Sequence, residues 1–366
     1  MIFGSDNMAA ASPRVMAALQ EANSGTARSY GNDPWTKRAE EQLAEVFEHD
    51  LAAFFVTTGT VANCLALSAI AEPWNAVLCH RQAHILLDEG TAPEFFTGGA
   101  RLIPVAGTDG KITAENLRRT LERLPADPPH NVTPAAVTIS QVSESGLVYR
   151  PEEIAALAEA AASYRPAGTA AVAGAPLRKI RIHVDGARFA SAVASLRCSP
   201  ADVTWRAGVD VLCLGATKNG ALAAEAVIFF DRELAANFAE RRKRAGQLLS
   251  KGRLLGAQFL GWLKDGHWLD LARSANAAAK QLADGLSKIP GVRIPWPVEA
   301  NEVFAVLPRP LDAHLRAAGA DYHEWYTDGM PANDSLALGE VYVRLVTSFA
   351  TQGSEVQAFL DAARGA

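Results

Sequence analysis

Between residues 52 and 231, short apolar runs rich in β-branched and aromatic residues alternate with stretches of helical spacing. Seven of these runs read as strands: 53–57, 75–79, 101–106, 135–141, 180–185, 209–214 and 225–230. Strands joined by helical connections predict a mostly parallel sheet. Ahead of them, Ser12-Pro13 pairs a capping hydroxyl with a first-turn proline, so a helix is expected over 13–24 behind an extended arm. Trp35 to Glu48 has helical spacing, with Leu43, Val46 and Phe47 on one side. Residues 232–265 read as a long helical region leading into a smaller α+β unit. The expected division is an arm and helix over 1–35, a large α/β domain over 36–265 and a small C-terminal domain over 266–366, with the arm packed on the small domain. Two stretches look inserted. Arg165 to Lys179 is rich in Ala, Gly and Pro and reads as a surface loop, while Ala320 to Leu338 carries three aromatics among Asp, Gly and Pro and fits no element.

Composition narrows the class. A chain of 366 residues, 49% hydrophobic and 20% charged, has the make-up of a soluble globular protein. Its formal charge of −5 argues against general nucleic-acid binding, so the basic stretch Arg241 to Arg244 reads as a solvated helix face. Cys64, Cys79, Cys198 and Cys213 lack metal-ligand or disulfide spacing, which suits reduced thiols; no metal is expected, and Cys79 and Cys213 read as core. Neither a signal pattern nor a run of about 18 apolar residues is present, so a cytoplasmic protein without a membrane partner is expected.

The polar positions that interrupt the pattern carry the chemistry. In Arg181 to Arg188, alternation puts Ile180, Ile182 and Val184 on one strand face and Arg181, His183 and Asp185 on the other. An edge strand with a wet face would explain this; so would a carboxylate set at the strand's carboxyl end, where open α/β sheets bind ligands. The next strand ends in Gly215 to Gly220, which presents Thr217 and Lys218. Desolvation favours the neutral lysine amine, and that amine condenses with carbonyls. Asp185, Arg188 and Lys218 together suit pyridoxal 5'-phosphate: the lysine holds the aldehyde and the carboxylate keeps the pyridine nitrogen protonated. Arg188 would neutralise the ring's phenolic oxygen or a substrate carboxylate. For the phosphate, Phe54 to Val56 lead through Thr57, Thr58, Gly59 and Thr60 into a helical run, and a helix start with hydroxyls forms an anion site, although ordinary N-capping explains the threonines equally well.

The chain resembles the low-specificity, pyridoxal-phosphate-dependent L-threonine aldolases, in the branch that includes phenylserine aldolases. Matching stretches are Gly4 to Asn7, Ser29 to Asp33, Thr58 to Asn63, Ala83-His84, His183 to Phe189, Gly215 to Gly220, Glu299 to Phe304 and Val343 to Leu345. The resemblance implies a fold-type-I architecture and cleavage of L-threonine, L-allo-threonine or L-phenylserine-type substrates to glycine and an aldehyde. It implies a homotetramer with shared active sites. His84 would stack on the pyridine and relay a proton; unaided, a lone histidine reads as structural. Ser5, Arg344 and Arg188 would hold the substrate carboxylate, Tyr30 would complete a neighbour's site, and Lys251 and Arg253 would reach a neighbour's phosphate. Glu144 stands where many of these aldolases have a histidine, so either it takes the β-hydroxyl proton or it anchors its loop. A β-eliminating lyase or an aminotransferase of the same fold is the alternative.

Overall fold

All seven apolar runs enter one sheet in a computed structural model that describes residues 1–107, 110–124, 129–165 and 179–365. Its strands are β1 (Ala52–Val56), β2 (Asn75–His80), β3 (Arg101–Val105), β4 (Thr133–Ser140), β5 (Arg181–Gly186), β6 (Val211–Gly215) and β7 (Glu225–Phe229), in the order β1-β7-β6-β5-β4-β2-β3. Pairings from β3 through β6 are parallel, and β7 is antiparallel to both β6 and β1. The exception has a covalent cause. Parallel neighbours need a long crossover, whereas only the short turn after Gly215 separates β6 from β7. The polar face of β5 is not wet: Arg181 donates to Asp210 at 2.8 Å, His183 Nε2 lies 3.2 Å from Cys213 Sγ, and Asp185 accepts from Asn63 at 2.9 Å. Ile180, Ile182 and Val184 pack into the largest core on the opposite side.

A second sheet holds β8 (Glu302–Pro308), β9 (His323–Glu324) and β10 (Glu340–Val346), antiparallel in the order β8-β10-β9. The helix His267–Leu286 joins the two cores: Trp268, Leu271 and Ala272 pack with the first, and Ala279, Leu282 and Leu286 with the second. The N-terminal arm belongs to this second assembly. Phe3 is fully buried there, its N–H donates to Asp321 O at 2.7 Å, and its carbonyl accepts from Val346 N at 2.8 Å.

One expectation needs correction. Residues 232–265 do not form a continuous helical region; Arg232–Ala235 is a 3-10 turn, and the helices Phe238–Arg244 and Arg253–Leu263 are separated by irregular chain. Gly246 sits at φ +72, which ends the first helix, and a Cβ at Gly252 would lie 2.8 Å from the Gly31 backbone nitrogen. The loop expected over 165–179 falls outside the described residues apart from its ends, of which Lys179 pairs with Asp210 at 2.7 Å. The stretch 320–338 supplies the buried Tyr322, strand β9 and a 3-10 turn at Thr327–Gly329. Ser12 caps the helix Pro13–Ala22 as its sequence predicts, accepting from Val15 N. Among the described residues no helix is long and apolar enough to cross a membrane.

Candidate active site

The carboxyl ends of β1, β2, β4, β5 and β6 open onto one cavity of about 310 Å³. Thr57, Thr58, Gly59 and Thr60 follow β1, His84 follows β2, and Ser140, Val142 and Glu144 end or follow β4. Asp185 and Arg188 come from the end of β5, and Thr217 and Lys218 from the turn after β6. Because β7 runs the other way, its first residue, Glu225, reaches the same edge. A parallel sheet thus gathers residues from distant sequence positions at one rim, the usual ligand position in such sheets.

Lys218 lies in the 3-10 turn Thr217–Asn219 and is half-buried. Asn219 fixes that turn from both sides: its amide donates to Trp268 O and its carbonyl accepts from Trp262 Nε1, each at 2.8 Å. Asp185 is 6% exposed, with Oδ1 accepting from Ala187 N at 3.1 Å and Oδ2 from Asn63. The Asn63 amide also donates to Glu89 Oε1 at 2.9 Å, and His84 Nδ1 is 2.8 Å from that same oxygen. The hydrogen bond to Glu89 raises the His84 pKa, with the Asp185 and Glu144 charges adding to it. Burial raises Glu89. His183, behind Asp185, is pushed down to about 4 by burial and stays neutral. Glu144 keeps part of its surface open to the cavity, yet desolvation and then the Glu302 and Asp185 charges raise it to about 6.

Thr58 caps the helix Gly59–Ile70 by accepting from Val61 N at 3.3 Å, which leaves its O–H free to donate toward the cavity. Thr57 donates to Gln247 at 2.8 Å. A Cβ built on Gly59 meets nothing within 4 Å, so this helix start faces open space.

Both arginines already have acidic neighbours within the chain. Arg188 binds Asp6 through Nε at 2.7 Å and Nη2 at 3.2 Å, and its Nη1 lies 3.4 Å from Glu302. Burial alone would weaken this cation; Asp6 and Glu302 outweigh it, and Arg188 in turn helps hold Asp6 below the usual carboxylate range against the penalty of its own burial. Arg344 does not line the cavity. It stacks 3.7 Å from the Trp325 ring centroid, with Nη1 3.8 Å from Glu302, and among the described residues its Nε has no hydrogen-bond partner. Ser5 accepts from Asn7 N at 3.2 Å, and Asn7, not Ser5, lines the cavity. Tyr30 is exposed under the Lys243 ammonium, Lys251 is exposed, and Arg253 reaches Ser24 O and Gly25 O; none of the three lines this chain's cavity.

Asn7, Asn63, Glu89 and Glu225 line the cavity without having been picked out as site residues from the sequence. Asn63 left a signal, a lone amide inside the apolar run Val61 to Ile70. Glu89 left none.

A family model described as beta-eliminating lyase matches residues 3–309. Low specificity L-threonine aldolases from Pseudomonas aeruginosa and Pseudomonas sp. are each 42% identical over 327 residues, covering 89% of this chain and 90% of their own. The chain belongs to the beta-eliminating lyase family, in its threonine aldolase branch. The solved threonine aldolase of Leishmania major superposes with a TM-score of 0.88 at 27% identity, covering 100% of this chain and 98% of that one. A Sphingomonas wittichii serine palmitoyltransferase, at TM-score 0.68 and 16% identity over 100% of this chain and 86% of its own, shares the fold. This is the fold-type-I architecture of pyridoxal-phosphate enzymes, and this aldolase and lyase family depends on that cofactor. The cavity fits the group. An amine, a buried carboxylate and an open helix start with hydroxyl donors match its aldehyde, ring nitrogen and phosphate.

Proposed function

We propose that the chain is a pyridoxal-phosphate-dependent aldolase that cleaves L-3-hydroxy-α-amino acids of the threonine, allo-threonine and phenylserine type to glycine and an aldehyde. The observation that carries this reading is the meeting of Lys218, Asp185, His84 and the Thr58-Gly59-Thr60 helix start around one cavity. Lys218 would hold the cofactor aldehyde, Asp185 its ring nitrogen, His84 its face, and Thr58, Gly59, Thr60 and Thr217 its phosphate. When bound, the cofactor supplies an electron sink for the pair released from the Cα–Cβ bond.

The rest of the chemistry falls to side chains of this chain. Glu144, at about 6, is largely ionised near neutral pH and acts as a base toward a β-hydroxyl. His84, held by Glu89, can carry the same proton onward. Arg188 lines the cavity with a fixed guanidinium that suits a substrate carboxylate, and Arg344, which stands outside the cavity and shares Glu302 with Arg188, would join that clamp by moving toward it. Clamping the carboxylate fixes which Cα bond faces the sink.

The assembly we favour is a cytoplasmic homotetramer in which Tyr30, Lys251 and Arg253 serve a neighbouring subunit, a role that suits their placement away from this chain's own cavity. Purified protein loaded with cofactor should release glycine from L-threonine, L-allo-threonine or L-phenylserine, and Lys218→Ala should abolish both release and cofactor absorbance. Absence of glycine from all three substrates ends this reading; intact release by Lys218→Ala removes the lysine from it.

A further inference from the structure

Glu89 has a fully buried side chain and belongs to no strand-end motif, yet it touches the site's central groups. Its Oε1 accepts from His84 Nδ1 at 2.8 Å and from the Asn63 amide at 2.9 Å, and the same Asn63 nitrogen donates to Asp185 Oδ2 at 2.9 Å. The result is a continuous chain, His84–Glu89–Asn63–Asp185, with one atom each of His84, Glu89 and Asp185 lying within 4.8 Å of one another. A buried carboxylate is costly unless it is paired. Among the described residues the basic group paired with Glu89 is the His84 ring, and the Asn63 donor bridges the two acids.

We propose that Glu89 is a positioning residue that keeps the Nδ1 proton on His84 and, through Asn63, couples that proton to the Asp185 carboxylate. The inference rests on the cofactor-dependent cleavage reading, since it gives His84 and Asp185 their places around the ring. A neutral His84 with Nδ1 donating to Glu89 has its lone pair on Nε2, the atom left for proton transfer. Directions of titration agree: burial raises Glu89, and Glu89 raises His84, so the pair retains a proton more firmly than either group alone. The neighbours that bear on this proton come from several elements. Asp185 extends from β5, Glu144 follows β4, and both favour the His84 cation. Cys64, on the same helix as Asn63, lies 3.8 Å from Glu89 Oε2 as a thiol whose pKa burial has raised.

Two variants separate this from a merely structural role. Glu89→Gln keeps an acceptor for Nδ1 and removes the charge; Asn63→Ala keeps the charge and removes the bridge. The measurement is the His84 ring titration by 15N NMR in histidine-labelled, cofactor-loaded protein, assigned against His84→Asn. Glu89→Gln should lower the His84 pKa by about one unit or more, and shift the acid limb of kcat with it while KM changes less. Asn63→Ala should move the ring the opposite way, because both carboxylates lose a donor. An unmoved ring in Glu89→Gln, or a ring that does not rise in Asn63→Ala should the first variant fail to fold, overturns the proposal. The titration needs no substrate. No glycine release by the unsubstituted protein, with a shifted ring in Glu89→Gln, therefore refutes the function alone, and normal release by the unsubstituted protein with an unmoved ring in Glu89→Gln refutes Glu89 alone.

Discussion

Glu225→Gln tests whether the rim of the cavity is held under electrostatic strain. Glu225 is 6% exposed, begins β7, and faces the cavity beside Thr217 and Lys218. Burial lifts its carboxyl from 4.5 to about 7, even though a Thr217 hydrogen bond and the Lys218 charge pull it down. A tenfold change in proton affinity corresponds to about 1.4 kcal/mol, so ionising Glu225 costs the folded chain about 3 kcal/mol. The sign follows from the raised value. The folded protein binds this proton more tightly than the unfolded chain, so the associated stability is complete below 4.5 and is lost as pH rises through about 7. Glutamine imitates the protonated form and can keep the Thr217 hydrogen bond. Urea denaturation of both proteins at about pH 5 and about pH 8 should show near equality at the lower pH and a more stable variant at the higher. A difference of the same size at both values would refute the reasoning.

Two further perturbations probe the rest of the wall. Asp6→Asn breaks the paired contact with Arg188 and should destabilise the protein by about 3 kcal/mol, at the low end because Glu302 stays beside the guanidinium. Since the Asp6 carboxyl titrates below its ordinary value, this difference should fade in acid, which melting curves against pH would show. Glu144→Gln should reduce kcat/KM by roughly a hundredfold and erase a limb near 6 from the pH profile; a profile of unchanged shape would make Glu144 a loop anchor.

The central strands were legible because they are short, buried, β-rich runs: β5 and β6 stand between turn residues, and the polar exceptions Asp185 and Lys218 fall where a parallel sheet places its ligand groups. Where backbone geometry decides, the pattern misled. Residues 232–265 keep helical composition, but Gly246 at φ +72 and the close approach of Gly252 to Gly31 break the run, and neither can be read from hydrophobic spacing. The site divides in the same way. Asp185, Arg188 and Lys218 end or follow strands and so announce themselves, His84 and Glu144 emerge only through the family resemblance, and Asn63 and Glu89 act through hydrogen bonds between segments far apart in the chain. Arg188 shows the limit most clearly. Its position was readable, but the two acids that hold it come from residues 6 and 302.

The docking of the arm sets an order of synthesis. Phe3 and Asp6 are made well before the arm's partners, because Phe3 closes its backbone hydrogen bonds with Asp321 and Val346. A nascent chain that has finished the first sheet therefore still has Arg188 without a docked Asp6. Full activity then waits until synthesis has passed Val346, and bulk introduced beside Ile2 would compete for the same berth.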